Sequence, residues 1–203
     1  MKSFRRLLIF FLVFVMPGCA VAATYPLSLR YRATKDFPSL QQKIGSNLGI
    51  APFKDERPET LYIGYHLPLL GSSSYFKSDP FPLERAIKES LLGPLSRYGV
   101  KTTSISDWDG QPESLKDLET DSILMIQMKR FWIEGRAAPF RTTAKTSIHF
   151  VIHLGVKKEG KVFTKNVEVE KEATLIRLTP EAMEKILNDI LANILDAFFS
   201  NPY

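Results

Sequence analysis

The chain has 203 residues, 44% of them hydrophobic and 24% charged, values that exclude disorder throughout and leave room for one domain. Its single Cys excludes an intrachain disulfide and a Cys-based zinc site. The formal net charge of +5 is weak support for nucleic-acid binding, because removing Lys2, Arg5 and Arg6 with a leader lowers it to +2.

Those three cations precede residues 7–16, an unbroken apolar run of 10 residues. At about 1.5 Å per residue the run falls short of the roughly 30 Å a transmembrane anchor needs. It fits the core of a signal peptide. Met16-Pro17-Gly18-Cys19 resembles a bacterial lipobox, in which a small residue precedes a Cys that receives lipid, although Pro17 and Met16 depart from the usual pattern. The alternative is cleavage after Ala20-Val21-Ala22, an A-x-A pattern that would release a soluble periplasmic protein. The only Cys stands directly after the apolar core and a Gly, which favours the lipoprotein. The expectation is therefore a signal peptide over 1–18, a lipidated, palmitate-bearing Cys19 and one envelope domain over 24–203. Ala20 rather than Asp after the Cys resembles the signal for outer-membrane sorting, with the domain facing the periplasm.

Along the mature chain, residues 25–32 alternate Leu27, Leu29 and Tyr31 with Ser28, Arg30 and Arg32, the period of a half-buried strand. Residues 37–47 read as a connector, and 48–53 as a short strand whose Pro52 belongs at an edge or bulge. Residues 56–79 show no period. They carry Pro58, Gly64, Pro68, Gly71 and three Ser, together with Leu61, Tyr62, Ile63, Tyr65, Leu67, Leu69, Leu70, Tyr75 and Phe76. This reads as a long apolar loop, either tucked onto the body or used for binding. Tyr65, Leu67 and Leu69 are expected to stay partly exposed and to contact a partner.

Residues 82–98 read as an amphipathic helix on Leu83, Ile87, Leu91, Leu95 and Tyr98, capped by Ser78 or Asp79 and kinked or split at Gly93-Pro94. A short strand follows over 100–105, then a polar loop or helical turn over 106–120. A long strand over 121–134 is apolar on both parities in its first half, so covered on both faces there, and Gly135 to Phe140 should break it. Residues 143–156 and 161–175 form the clearest hairpin. Its turn is Lys157-Lys158-Glu159-Gly160, with Ile148, Phe150, Ile152 and Leu154 facing the core alongside Phe163, Val167 and Val169. The wet face carries His149 opposite a Glu, with Glu168 and Glu170 nearby. Residues 180–199 form a last helix, capped by Thr179, with a wide apolar stripe that must lie on a sheet.

The chemistry is sparse. His149 and His153 sit four apart on a strand, so their Cα atoms lie about 13 Å apart and cannot share a metal. His66 lacks an acidic neighbour, and Asp107-Trp108-Asp109 reads as a solvated turn. No nucleophile with a base, phosphate loop or metal motif is present, so neither enzyme activity, a cofactor nor a metal is expected. Lys129, Arg130, Arg136, Arg141 and Lys145 interleave with Phe131, Trp132 and Phe140. In the envelope, lipid head groups or an acidic partner are the anions available to them. The plainer reading is a strand end with snorkelling basic side chains.

The run Leu48-Gly-Ile-Ala-Pro-Phe-Lys-Asp-Glu-Arg-Pro58, followed by an aromatic Gly-containing segment and an amphipathic helix ending in Gly-Val, resembles the YajG-like bacterial lipoproteins. More loosely, it resembles the auxiliary lipoproteins of envelope ABC transport systems. The resemblance implies a small α+β envelope protein without catalytic residues. The expected fold is α+β, a mostly antiparallel sheet with two amphipathic helices packed on one face. The expected function is that of a non-catalytic envelope lipoprotein, an adaptor or an assembly or transport accessory factor. It would be held to the membrane through Cys19 and bind a protein partner rather than nucleic acid. The alternative is a carrier of lipid or another apolar ligand between sheet and helices. The residues do not fix an oligomeric state.

Overall fold

The computed structural model describes residues 22–203. Cys19 and the expected signal peptide lie outside the described residues. The strands are β1 (Thr24–Ser28), β2 (Asn47–Ile50), β3 (Lys54–Asp55), β4 (Gly64–Leu67), β5 (Ser74–Asp79), β6 (Lys101–Ser104), β7 (Ser122–Ala138), β8 (Arg141–Val156) and β9 (Lys161–Leu175). The helices are α1 (Leu40–Ile44), α2 (Leu83–Arg97) and α3 (Pro180–Ser200).

All strands join one sheet, and β7 is its spine. One edge of β7 pairs antiparallel with β8 along its whole length, and β8 pairs antiparallel with β9. The other edge takes β2, β3 and β4 in succession, each parallel. Strands β6 on β2 and β1 on β5 are parallel too, whereas β4 and β5 are antiparallel. The sheet is thus mixed, which corrects the expectation of a mostly antiparallel one. Alternation within a strand reports which face is buried, not the direction of the neighbour.

The β8–β9 hairpin has the expected register, pairing Ile148 with Val169, Phe150 with Val167 and His149 with Glu168. Gly160 takes the left-handed conformation in its turn at φ 60°. Strand β7 runs past the expected break at Gly135, and the chain turns only at Pro139-Phe140. One extra residue, Lys129, sits between Met128 and Arg130 as a bulge.

Helices α2 and α3 pack on the same face, as expected. Ile87, Leu91 and Leu95 of α2 and Leu187, Ile190 and Leu191 of α3 share one core with Leu124, Ile126, Phe131 and Phe150. The other face is covered only at one end. There, Trp108 and Leu115 from residues 106–120, which include a 3-10 turn (Glu113–Asp117), close over Ile123 and Met125. Past Met125 that face is open.

Four local expectations change. The connector holds α1, whose Leu40 and Ile44 join the core. Helix α2 starts at Leu83 after Pro82 without a side-chain cap, so neither Ser78 nor Asp79 caps it, and it continues through Gly93-Pro94. Burial of Leu91 and Leu95 holds the chain helical on either side of the proline. The long loop is two strands, β4 and β5. Strand β4 is four residues long, and three of them are half-buried on both faces, so it has no period to detect. Strand β1 ends at Ser28: Leu29 N–H makes a last bond to the Asp79 carbonyl of β5 (3.3 Å), and the backbone around and beyond it bonds α3 side chains. Arg30 N–H donates to Asn188 Oδ1 (2.8 Å), Ser28 N–H to Glu184 Oε2 (3.0 Å) and Thr34 N–H to Asp196 Oδ2 (3.0 Å). The buried Asp196 also accepts from the Tyr31 hydroxyl at 2.7 Å, and burial, with Asp196 second, pushes that phenol far up. Helix α3 itself begins as expected, Ala182 N–H donating to Thr179 Oγ1.

Candidate functional site

The open half of the second sheet face holds a groove of about 470 Å3 at the β7 bulge. Its lining includes Arg57, Lys129, Arg130, Trp132, Lys145 and Glu170. Alternation on β7 after the bulge sends Phe131 and Ile133 to the helices and Arg130, Trp132 and Glu134 to the groove side.

Arg57 forms part of the groove wall, and its side chain is only 3% exposed. Its Nε and Nη2 grip both oxygens of Asp55 at 2.8 Å each. Nη1 donates to the carbonyls of Tyr62 (3.0 Å) and Phe131 (3.2 Å), and Nη2 also to that of Thr60 (3.2 Å). The Lys-Asp-Glu-Arg-Pro run therefore staples the 56–63 crossover to β7. With its N–H groups taken up by these acceptors, Arg57 is a structural cation, not a free one.

Three cations in and beside the groove have acidic partners, on β7 itself, on the crossover and on β9. Lys129 pairs with Glu56, and Arg136 with Glu134. Arg130 lies between Glu168 (3.9 Å) and Glu170 (3.8 Å). Ser147, the groove hydroxyl, accepts from Arg130 Nη1 at 3.3 Å. The nearest imidazole along the strand, His149, bonds Asn166 Oδ1 at 2.6 Å. The expected Glu opposite His149 is in register, but the ring contact goes to the diagonal Asn166. Among the described residues no group of three or more His, Cys, Asp or Glu is placed to hold a metal.

Of the residues expected to meet a partner, Tyr65 and Leu67 lie on β4, half-buried, and Leu69 lies in the β4–β5 turn, 59% exposed. Tyr65 stands edge-on to Trp132 with ring centroids 5.8 Å apart. Its hydroxyl bonds Glu134, and burial with that contact raises the phenol's pKa. Burial opposes ionisation of Glu134, yet the bonds from Tyr65 and Arg136 hold its pKa below the usual value. Tyr65 thus borders the groove, an arrangement that required β4 to be recognised as a neighbour of β7. Leu69 is separate from it, beyond the strand end.

His66 points to the opposite face, toward Gly135 and the helices, and its buried Nε2 has no hydrogen-bond partner. Burial lowers the pKa of His66 and, aided by Lys54 and Lys129, that of His153. The unfolded chain therefore binds more protons than the folded one just below the ordinary value of 6.5. Stability held by the neutral rings is present above that pH and is lost as pH falls through the folded values. Thermal melts should show a lower Tm at about pH 5.5 than at about pH 7.5. His66→Gln/His153→Gln should flatten that dependence, and an equally steep profile in the double variant would assign it to other groups.

No family model matches the chain, and no curated protein matches it. Among solved structures, protein XCC0632 from Xanthomonas campestris, described with family-model DUF330, is similar with a TM-score of 0.56 and 14% identity, over 88% of this chain and 93% of that one. An uncharacterized protein overlaps with a TM-score of 0.47 and 14% identity, over 89% and 97% of the two chains. Lipoprotein GNA1162 from Neisseria meningitidis overlaps with a TM-score of 0.41 and 11% identity, over 74% and 99%. The first likeness shows a shared fold; the weaker overlaps add no argument. Membership of the YajG-like family is not shown by these comparisons. Among the described residues no helix is long and apolar enough to cross a membrane.

Proposed function

We propose that the protein is a non-catalytic lipoprotein of the bacterial cell envelope, of the YajG-like kind, anchored through Cys19 at the outer membrane. It acts as an adaptor or as an assembly or transport accessory factor. One observation carries the adaptor reading over the carrier: side chains of α2 and α3 pack directly onto β7 and β8, and the gap of about 210 Å3 beside His66 and Leu178 is small and open, while the larger groove beside Trp132 lies open on the other face. A carrier of apolar ligands would need an enclosed apolar cavity. The open groove instead offers Trp132, Tyr65 and Arg130, residue types that dominate protein–protein binding energy, within a ring of paired charges. A protein segment of mixed charge, laid along the sheet face, suits that lining.

The test is a photo-crosslinking residue in place of Ser147 in the full-length protein in its native envelope. A discrete protein adduct is expected, and it should be lost in Tyr65→Ser/Leu67→Ser, which leaves Leu69 in place, while the fold is retained, as judged by circular dichroism. Adducts to lipid in place of protein would favour the carrier. A double variant that still crosslinks would remove β4 from the site.

A further inference from the structure

The paired residues Thr24–Tyr75, Ser74–His66, Leu67–Arg136, Arg136–Thr143 and Thr143–Thr174 mark one end of the sheet across β1, β5, β4, β7, β8 and β9. Three segments project past it. They are the β4–β5 turn with Leu69 and Leu70, the β7–β8 turn with Phe140, and the exit from β9 with Ile176. These four side chains are 59%, 87%, 99% and 93% exposed. Single apolar side chains in water need no explanation, but four gathered on neighbouring tips do. Phe140 also adopts φ 66°, where Gly or Asn would be the usual residue. The fold gains no packing from a phenylalanine that is fully in water.

Charge distinguishes this end as well. Residues 68–73, 139–141 and 176–179 contain no Asp or Glu, and their only charged residues are Arg141 and Arg177, both exposed. The opposite end turns on Lys157-Lys158-Glu159-Gly160, without a large apolar side chain. The chain also enters the domain at the apolar end, where Tyr75 N–H donates to the Ala23 carbonyl at 2.8 Å. Cys19 is four residues earlier in sequence, a span of at most about 14 Å. A lipid on Cys19 would hold these tips within reach of the bilayer.

We infer that this end is a membrane-docking surface: Leu69, Leu70, Phe140 and Ile176 enter the boundary between head groups and acyl chains, and Arg141 and Arg177 meet lipid phosphates. The inference rests on the lipoprotein reading above. The anchor supplies the local concentration and the tips set the orientation. The strands near β7 then rise from the bilayer with their turns in it, and the groove on the sheet face is directed sideways, open to a partner.

The test uses the mature lipoprotein carrying Phe140→Trp, reconstituted in vesicles of phosphatidylcholine with phosphatidylglycerol. Flotation reports the anchor, and quenching by brominated acyl chains reports the tips. The native tryptophans are the buried Trp108 and the groove's Trp132, so the parent protein gives the baseline. The expected result is flotation with about twofold more quenching than the parent, as for a ring at the acyl boundary. Arg141→Glu/Arg177→Glu should reduce that gain, and an unchanged gain would overturn the role of the arginines. Flotation without extra quenching would overturn the docking surface and leave the anchor standing. Absence of flotation would overturn both. If the emission gained in Phe140→Trp is already blue-shifted in the unlipidated Cys19→Ser/Phe140→Trp protein in detergent-free buffer, the membrane is overturned as occupant and the end is assigned to a second copy.

Discussion

Asp55→Ala is expected to cost about 3–5 kcal/mol, the usual penalty for stranding a buried charge. Asp55 supplies both carboxylate oxygens to Arg57, whose side chain is almost fully enclosed. Without the carboxylate, the guanidinium keeps its carbonyl partners but has no anion. Moving it into water would unfasten the 56–63 crossover that its bonds to Thr60 and Tyr62 hold against Phe131. Asp55→Leu/Arg57→Met should recover part of the loss, because no charge is left buried. Recovery stays incomplete, since three carbonyls lose their donors. Urea unfolding of Asp55→Leu, Arg57→Met and the double gives the coupling directly. A loss under about 1 kcal/mol for Asp55→Ala would mean that Arg57 reaches solvent easily.

Gly64→Ala is expected to cost about 3 kcal/mol or more, in the range reserved for severe steric or core defects. A Cβ at Gly64 would lie 2.0 Å from the Ile133 carbonyl oxygen and 2.7 Å from Ile133 Cγ2, with φ at 156°. The backbone of β7 cannot yield, so β4 must move off it and carry Tyr65 away from Trp132. Gly93→Ala is the contrast. Gly93 lies inside α2 with no neighbour from elsewhere in the fold within 4 Å, but Pro94 follows it and crowds a Cβ in the helical conformation, so the gain in helix propensity is offset and the substitution should change stability by less than about 1 kcal/mol. Melting curves separate the two, and amide exchange on β4 should rise only in Gly64→Ala. Equal melting temperatures for Gly64→Ala and the parent would show that β4 does not pack on β7 this closely.

The parts of the fold that were legible are those in which one residue pattern answers to one surface. Strands β8 and β9 have a dry face and a wet face throughout, so Ile148, Phe150, Val167 and Val169 declare the register by themselves. Helix α3 announces its start at Thr179-Pro180 and its buried side by its stripe. Strands β4 and β5 were illegible because their burial comes from neighbours on both sides of a short segment. The candidate site was half legible. The interleaved basic and aromatic residues around Trp132 stood out, but the acidic partners of Arg130 lie on β9 and that of Lys129 on the distant crossover, and only Arg136 has its partner, Glu134, nearby on the same strand. One readable signal was passed over. Asp55 and Arg57 are two apart in an extended stretch, a spacing that places both side chains on one face and lets a carboxylate meet a guanidinium.

The bulge at Lys129 makes β7 a strand with two reading frames. Before it, even-numbered residues such as Leu124, Ile126 and Met128 face the helices; after it, odd-numbered ones such as Phe131 and Ile133 do. Loss of Lys129 itself would remove the extra residue and leave one continuous frame, with Arg130 still opposite His149 and Phe131 opposite Ile148. Loss of one residue in the regular ladder beyond it, such as Trp132, would act on the fold as a frameshift acts on a message: the residues downstream would stay paired with β8 yet be read on the wrong side, Ile133 toward water and Glu134 toward the core. A residue gained in the exposed turn at Pro139-Phe140 would leave both frames intact. Tolerance to length change along this hairpin is therefore set by position: the bulge and the exposed turn can absorb it, and the ladder between them, which carries the groove, cannot.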